Sequence, residues 1–270
     1  DRDGYQDLYI AKGGFNPPGQ QDRLLRNNRD GTFLDISLES GLDAVRGSYS
    51  VTAADYNQDG LLDLYISSAV GQSNTLYRND HNGVFEDVSR IRHILSSREW
   101  SGAGAAFADY DNDGDVDLYA GVFGAADIFY QENGIPEYTS ILLGNRGDTI
   151  GLAIGDYDAD ADLDIYTVNI TPRSALYRND IDMLTDVGSQ SGTENLGVGT
   201  GAAFSDFDSD GDLDLFVSNA HMANRVYVNI EGSIFRDEAL ALGMADTVRS
   251  RAFLMADFDN DGDQDVYSLT

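Results

Sequence analysis

The segment DYDNDGDVDLY, from Asp109 to Tyr119, places five aspartates at alternate positions and then continues directly into a β-prone run. Carboxylates this close together repel one another unless something neutralises them. The segment is therefore either a disordered, solvated acidic loop or a loop that holds a cation. The choice matters for the whole chain, because the same segment recurs along it.

The acidic segment occurs six times, and its last aspartate returns at intervals of 56, 54, 47, 50 and 51 residues. Self-similarity at a period near 50 is typical of propellers and solenoids. We call the segments loops 1 to 6 and number nine positions in each, so that Asp109 is position 1 of loop 3 and Asp117 is position 9. The other copies are DRDGYQDLY (1–9), DYNQDGLLDLY (55–65), DYDADADLDIY (156–166), DFDSDGDLDLF (206–216) and DFDNDGDQDVY (257–267).

Four short runs rich in β-branched and aromatic residues repeat between successive loops. After loop 3 these runs are LYAGVF, DIFYQEN, YTSILL and TIGLAIGD. The fourth run is rich in Gly and Ala, which suits the crowded strand nearest a propeller axis. Since radial repetition of four-stranded sheets is a β-propeller, the sequence predicts an all-β fold, a β-propeller of four-stranded blades with an Asp-rich loop in each.

The strand pattern predicts a group of three strands, four groups of four and a final group of two, 21 in all. We expect residues 1–270 to form a single propeller domain of about five blades with partial blades at both ends. Two interpretations stay open: a fragment of a larger propeller, which we favour, or open ends that pair with another copy, because unpaired strand edges template association. Residues 89–100 and 237–244 are expected to form helical turns between blades.

The spacing within each loop suits a hard cation with oxygen ligands. Alternate side chains of a curling loop point to one centre, glycine at position 6 permits a turn at positive φ, and the carbonyl of position 7 adds an oxygen. Calcium takes six to eight oxygen ligands, whereas magnesium keeps more water. No His or Cys lies in the loops, which argues against zinc and copper. The loop resembles the first half of an EF-hand but lacks Glu at position 12. We therefore expect Ca²⁺, up to six ions, one per loop.

The predicted ligands are positions 1, 3, 5, 7 and 9, and position 7 contributes through its backbone. Three departures matter: loop 1 begins at position 3, Asn57 is a neutral ligand that should weaken binding modestly, and Ala161 replaces the expected glycine. The full set is Asp1, Asp3 and Asp7; Asp55, Asn57, Asp59, Leu61 and Asp63; Asp109, Asp111, Asp113, Asp115 and Asp117; Asp156, Asp158, Asp160, Asp162 and Asp164; Asp206, Asp208, Asp210, Asp212 and Asp214; Asp257, Asp259, Asp261, Asp263 and Asp265.

The net charge of −30 is concentrated in these loops, which hold 26 of the 47 acidic residues. The remaining 21 acids face 17 basic residues, so the rest of the surface is nearly balanced. A general acidic, solubilising surface would spread its charge more evenly. The charge argues against a nucleic-acid partner, no stretch approaches the 18 apolar residues of a membrane span, and the absence of cysteine excludes disulfides.

The pairing of DYDNDGDVDLY with LYRND and VFEDVS, over essentially the whole chain, resembles the FG-GAP/VCBS repeats of integrin-α-type propellers. It is closer still to the secreted repeat proteins related to cartilage acidic protein, the ASPIC/UnbV group. The resemblance implies a calcium-bearing propeller, usually of seven blades and often extracellular. We therefore expect a secreted or cell-surface module that binds a protein or glycan ligand, for example in adhesion.

Other features leave alternatives open. Trp100 either packs between blades or stacks on a sugar, and Arg146–Asp148 reads RGD, a tripeptide that also occurs by chance. Asn169–Thr171 matches an N-glycosylation site, and the Arg in the YRND pairs is expected to form turns and inter-strand salt bridges. No catalytic motif or catalytic residue is found, so we predict no enzyme, while a lectin, a calcium-dependent polysaccharide lyase or hydrolase, and a self-assembling fibre subunit remain alternatives.

Overall fold

The chain separates into two compact units, which are described one at a time. Unit 1 contains Asp1–Asp109 and Asp113–Arg146, and unit 2 contains Tyr110–Asn112 and Gly147–Thr270. No helix in the described part of the chain has the length and apolar content needed to span a membrane. The computed structural model describes residues 2–12, 20–43, 45–69, 72–80, 83–94, 101–132, 138–143, 147–171, 173–181, 183–250, 252–262 and 264–269.

The described residues are almost entirely strands and turns. The strands of unit 1 are β1 (Leu8–Ile10), β2 (Gln20–Gln21), β3 (Arg23–Asn27), β4 (Phe33–Asp35), β5 (Val45–Arg46), β6 (Ser48–Ala54), β7 (Asp63–Ser68), β8 (Thr75–Asn79), β9 (Phe85–Asp87), β10 (Ser101–Ala108), β11 (Asp117–Phe123), β12 (Ile128–Gln131) and β13 (Thr139–Leu142). Unit 2 adds the short helix α1 (Gly188–Ser191) and the strands β14 (Thr149–Gly155), β15 (Asp164–Asn169), β16 (Ala175–Asn179), β17 (Leu184–Asp186), β18 (Gly199–Ser205), β19 (Asp214–Asn219), β20 (Arg225–Asn229), β21 (Phe235–Asp237), β22 (Ala252–Ala256) and β23 (Asp265–Leu269).

Four sheets have four antiparallel strands in chain order, β6–β9 and β10–β13 in unit 1 and β14–β17 and β18–β21 in unit 2. A three-stranded sheet, β1-β3-β4, and a two-stranded one, β22-β23, accompany them. The predicted grouping of strands is therefore confirmed, and loops 2 to 6 each join the first strand of a sheet to its second. The short pair β2-β5 is an addition that the sequence did not predict.

Burial changes across each blade. In the four-stranded sheets the second strands are buried on both faces, as in β7 and β15, in which every residue is buried. The fourth strand is far more exposed, and all four residues of β13 face solvent. Each sheet is therefore held by its middle strands.

Aromatic side chains fill the space between neighbouring sheets within each unit. The small first strands permit close approach: a Cβ on Gly155 of β14 would lie 2.9 Å from Leu213 Cδ1 and 3.3 Å from Phe204 Cβ. The largest cluster of unit 1 includes Tyr56, Tyr65, Leu76, Leu118 and Tyr130. That of unit 2 includes Tyr157, Tyr166, Leu215, Tyr227 and Phe235.

A single helical turn follows the fourth strand in four repeats, at residues 37–41, 89–93, 188–191 and 239–243. An aspartate starts the turn: Asp35 Oδ1 accepts bonds from the Ser37 N–H (3.1 Å) and hydroxyl (2.6 Å). Short polar side chains favour such helix starts because they satisfy a free N–H. The predicted turns are confirmed at 89–93 and 239–243, and residues 95–100 lie outside the described ranges.

Candidate metal centre

Each loop is folded by bonds from its backbone N–H groups to its own carboxylates. In loop 4, Asp156 Oδ1 accepts from the Asp160 N–H (3.1 Å) and Oδ2 from the Ala161 N–H (3.0 Å). Asp160 Oδ1 then accepts from the Asp162 N–H (2.9 Å). Position 1 accepts the same pair of bonds in loop 2 at Asp55, in loop 5 at Asp206 and in loop 6 at Asp257.

Two backbone positions of every described loop are left-handed. Position 4 has φ between +55° and +63° in all six loops, at Arg2, Gln58, Asn112, Ala159, Ser209 and Asn260. Position 6 is glycine with φ from +81° to +100° in loops 1, 2, 3, 5 and 6. Loop 4 makes the same turn with Ala161 at φ +76°. The turn is therefore kept and the alanine is strained, since its Cβ approaches a carbonyl oxygen in this conformation.

The strain gives a direct prediction. We expect Ala161→Gly to raise the free energy of unfolding by about 0.5–1 kcal/mol, because relief of the left-handed strain exceeds the added entropy of the unfolded chain. The reverse change in loop 5, Gly211→Ala at φ +100°, should lower stability by a similar amount, although a Cβ there has open space around it. Denaturant unfolding measures both changes. A free energy of unfolding that Ala161→Gly does not raise, or that Gly211→Ala does not lower, would contradict the strain.

Four loops bring three carboxylates together, each offering an oxygen within 4.8 Å of the other two. The triads combine positions 1, 3 and 9 in three loops and positions 1, 3 and 5 in loop 5. Oxygens on opposite sides of a calcium ion are separated by about 4.6–5.2 Å, so this spacing suits one ion. The four groups are Asp109, Asp111 and Asp117; Asp156, Asp158 and Asp164; Asp206, Asp208 and Asp210; Asp257, Asp259 and Asp265.

Buried acceptor atoms in three loops have no hydrogen-bond partner. They are Asp63 Oδ2, Asp109 Oδ1 and Asp158 Oδ1, and the Asp63 side chain is fully buried. An unsatisfied buried polar atom costs free energy, and such atoms are rare in proteins. Because an ionised carboxylate only accepts, the missing partner is a donor or a cation. The residues present therefore fit a bound cation.

The electrostatics lead to the same conclusion. Burial raises the pKa of Asp63 and of Asp164 to about 7 and that of Asp214 to about 6, although backbone N–H groups act in the opposite direction. Burial also raises the pKa of Asp158, and the neighbouring carboxylates of Asp160 and Asp156 raise it further. The loops are thus poorly compensated as they stand, and a cation would remove this penalty.

Position 9 also fastens the loop to the third strand of the blade. Asp164 Oδ1 accepts from the Asn179 N–H (2.9 Å) and Oδ2 from the Tyr157 N–H (3.1 Å). The Asn179 amide returns a bond to the Leu163 carbonyl (3.2 Å). The sequence analysis did not predict this bond between position 9 and the third strand, although the donor residue recurs in the repeat. The donors are the backbone N–H groups of Asn27, Asn79, Asn179 and Asn229, and of Glu132 in the blade of loop 3.

Loops 1 and 2 show no carboxylate triad among their described residues. In loop 1, Asp3 pairs with Arg29 (2.7 Å) and Asp7 Oδ1 accepts from the Asn27 N–H (2.8 Å). In loop 2, Asp59 Oδ1 accepts from the Leu61 N–H (2.8 Å). The Leu61 side chain is buried, which leaves only its carbonyl for a metal. Asp1 lies outside the described residues.

The other predicted ligands lie outside the triads. At position 7, Asp115 was expected to face water, but its Oδ1 accepts from the Gln58 amide (2.9 Å), and Asp162 Oδ1 accepts from the Asn112 amide (2.6 Å). The structure also describes Asn57, Asp113, Asp212, Asp214 and Asp261, and Asp263 lies outside the described residues. The wider ligand set therefore stays a prediction.

Several other sequence candidates have structural roles. The Asn169 side chain is fully buried and donates to the Arg173 carbonyl (2.6 Å), so it is inaccessible to a glycan. The salt bridge of Arg78 with Glu86 (2.6 Å) crosses from β8 to β9, whereas that of Arg178 with Asp180 (3.0 Å) stays within one turn. Trp100 and Arg146 lie outside the described residues.

Comparison with known proteins agrees with the repeat and the fold. Cartilage acidic protein 1 of Xenopus tropicalis is 29% identical over 99 residues, which are 36% of this chain and 15% of that protein. An Agrocybe aegerita lectin, described by its specific recognition of non-reducing terminal N-acetylglucosamine, has a TM-score of 0.55 at 14% identity, over 97% of this chain and 74% of the lectin. The V. cholerae biofilm matrix protein Bap1 has a TM-score of 0.60 at 16% identity, over 93% of this chain and 38% of Bap1.

The chain spans 15% of the length of the curated relative and 74% and 38% of the two solved structures. At these identities the solved structures show the fold alone, and they agree with the predicted all-β propeller of four-stranded blades. The FG-GAP-like repeat model matches residues 1–66, 66–120 and 206–268, which is more than half of the chain. The protein belongs to the FG-GAP-like repeat family.

Proposed function

We propose that this chain is a calcium-binding propeller module whose loops stabilise the blades and present a binding surface outside the cell. The observation that carries the proposal is the buried carboxylate oxygen without a partner, at Asp63, Asp109 and Asp158. In three of the four carboxylate triads, positions 1 and 3 belong to the loop after the first strand and position 9 begins the second strand. Calcium there would neutralise the loop and tie these two strands together.

The chain's own residues account for most of a calcium shell. Positions 1, 3 and 9 would hold the ion in loops 3, 4 and 6, and positions 1, 3 and 5 in loop 5, with the carbonyl of position 7 as a further ligand. Calcium is favoured over magnesium because several carboxylates converge on each site, whereas magnesium keeps most of its water.

Calorimetric titration of the metal-free chain tests the proposal. We expect calcium to bind saturably with a stoichiometry of at least four, one for each triad and a further ion in loop 2, and magnesium at the same concentration to displace little of it. Absence of saturable calcium heat, or equal affinity for magnesium, would contradict the calcium assignment.

The proposed calcium binding supports an extracellular location. Free calcium reaches millimolar levels outside cells, and extracellular modules commonly bind it at about 0.1–1 mM. The printed description of Bap1 as a biofilm matrix protein supports this part of the proposal. A binding or structural role, rather than a catalytic one, is the proposed activity of the module.

A glycan is the second candidate partner, and a groove in unit 1 favours it. The groove has a volume of about 710 Å³, and its lining includes Asn74, Asp87, Arg90, His93 and Tyr138. Polar side chains along a groove suit the hydroxyl groups of a sugar, and the similar lectin is described by its recognition of terminal N-acetylglucosamine. We expect a glycan array to give binding that Arg90→Ala removes and the control Arg236→Ala retains; no binding would exclude this candidate.

A further inference from the structure

The side chain at position 4 reaches from its own loop to the next loop along the chain. In unit 1, Gln58 of loop 2 donates its amide to the Gly114 carbonyl (2.8 Å) and to Asp115 Oδ1 (2.9 Å), which are positions 6 and 7 of loop 3. Arg2 of loop 1 donates in the same way to the Gly60 carbonyl and to the Asp59 carbonyl (2.9 Å) of loop 2.

The contact recurs in unit 2. Asn112 donates its amide to Asp162 Oδ1 (2.6 Å) and to the Ala161 carbonyl (3.5 Å), again positions 7 and 6 of the following loop. The acceptor Asp162 is only 9% exposed, although position 7 was expected to face water. Three position 4 residues of different chemistry thus donate to the position 6 carbonyl of the following loop.

The backbone of position 4 would be ordered by an ion in its own loop. Gln58 lies between the predicted ligands Asn57 and Asp59, and its backbone is held at φ +55°. At the other end of the contact, Gly114 and Asp115 lie between the predicted ligands Asp113 and Asp117. An ion that orders loop 2 therefore fixes the donor that holds the turn of loop 3.

We infer that Gln58 couples the calcium sites of loops 2 and 3, so that occupation of one raises the affinity of the other. The inference rests on the proposed calcium binding and adds a regulation to it. It takes loop 2 as a further site, in which Asn57 is the neutral ligand and Asp63 Oδ2 is the buried oxygen without a hydrogen-bond partner. By linkage the coupling is reciprocal, and filling loop 3 strengthens loop 2 by the same factor. The Coulomb effect opposes this coupling, because a filled loop attracts the next ion less, but salt screens it at these exposed positions.

Loop 4 shows that the link can be removed without loss of the fold. Its position 4 is Ala159, with φ +60°, and a methyl group donates no hydrogen bond. Alanine is therefore compatible with this backbone conformation, and Gln58→Ala should fold. The substitution leaves every predicted ligand and every formal charge of loops 2 and 3 in place, so the opposing Coulomb effect is unchanged.

Calcium titration of the full chain with ¹⁵N-labelled glycine resolves the loops separately by NMR. The amides of Gly60, Gly114, Gly211 and Gly262 report loops 2, 3, 5 and 6. In the unsubstituted chain we expect Gly60 and Gly114 to titrate together. Gln58→Ala should move the Gly114 midpoint to calcium concentrations roughly threefold to tenfold higher and leave Gly211 and Gly262 unchanged.

The exposed Gln190 on α1 offers the matched control, because Gln190→Ala makes the same chemical change away from the loops. That control should leave all four midpoints in place. A Gly114 midpoint that is the same in Gln58→Ala and in the unsubstituted chain overturns the coupling while calcium binding stands. Glycine amides that show no saturable response to calcium overturn both the coupling and the proposed function.

Discussion

We expect removal of calcium by excess chelator to lower the melting temperature of this chain by at least about 10 °C. A ligand at one hundred times its dissociation constant adds about 2.7 kcal/mol per site, and each kcal/mol shifts the melting temperature of a chain of this size by roughly 2–4 °C. The summed stabilisation from four occupied triads would shift the melting temperature by more than 10 °C even if each site bound calcium more weakly than this. The effect is large because the unfolded chain has no preformed site, so binding free energy becomes folding free energy.

Scanning calorimetry with and without chelator makes the measurement, and two controls keep it specific. Chelator already saturated with calcium should leave the melting temperature unchanged. Magnesium added to the chelated protein should restore little of the loss, since magnesium prefers to keep its water. A melting temperature unaffected by excess chelator would show that the loops are acidic turns without a structural metal.

Asp164→Ala is expected to cost about 3–5 kcal/mol of unfolding free energy, the largest effect of any single substitution considered. The carboxylate is fully buried and accepts from the Asn179 N–H (2.9 Å) and the Tyr157 N–H (3.1 Å). Truncation leaves both buried donors unsatisfied, each at about 1–3 kcal/mol, and removes one member of the loop 4 triad. Urea unfolding in calcium and in chelator separates the two contributions, because only the metal contribution disappears in chelator.

Asp212→Ala is the matched control for this substitution. It removes the same carboxylate from position 7 of loop 5, outside the triads. We expect it to change stability by less than about 0.5 kcal/mol. Equal costs for the two substitutions, or a cost for Asp164→Ala that is the same with and without calcium, would show that position 9 does not hold a metal.

The fold was largely predictable because the recurring loop segments mark the position of each blade in the sequence. The recurrence of segments such as Asp109–Tyr119 predicted where each blade lies, and the four β-prone runs that follow loop 3 became the strands β11–β14. The small residues of the fourth run predicted the tightly packed first strand, as Gly155 shows. Local turn chemistry was equally readable, and Ala161 adopts the left-handed turn expected of glycine.

The candidate site was predictable as a set of residues and less so as a geometry. The sequence predicted ligands at positions 1, 3, 5, 7 and 9, with position 7 contributing through its backbone, but in the described loops the triads use positions 1, 3 and 9, or 1, 3 and 5. The carboxylates of Asp115 and Asp162 bond to the position 4 side chain of the preceding loop. Such contacts join residues about 50 positions apart, and no local pattern specifies them.

The hydrogen bond from the asparagine at the end of the third strand to position 9 was not predicted, for a different reason. Asparagine recurs at this position in the blades of loops 1, 2, 4 and 5, so the signal was present in the sequence. Asparagine beside a turn is usually explained by the turn itself. Only the structure shows that the backbone of Asn179 donates to Asp164 and that its amide holds the adjoining Leu163 carbonyl.

Anomalous scattering from crystals of the full chain grown with calcium tests the central claim most directly. The claim is that the carboxylate triads of loops 3 to 6 each hold one calcium ion. It predicts an anomalous peak in each of these four loops, about 2.3–2.6 Å from the oxygens of its triad. A map with well-ordered loops and no peak inside any of them would contradict the claim.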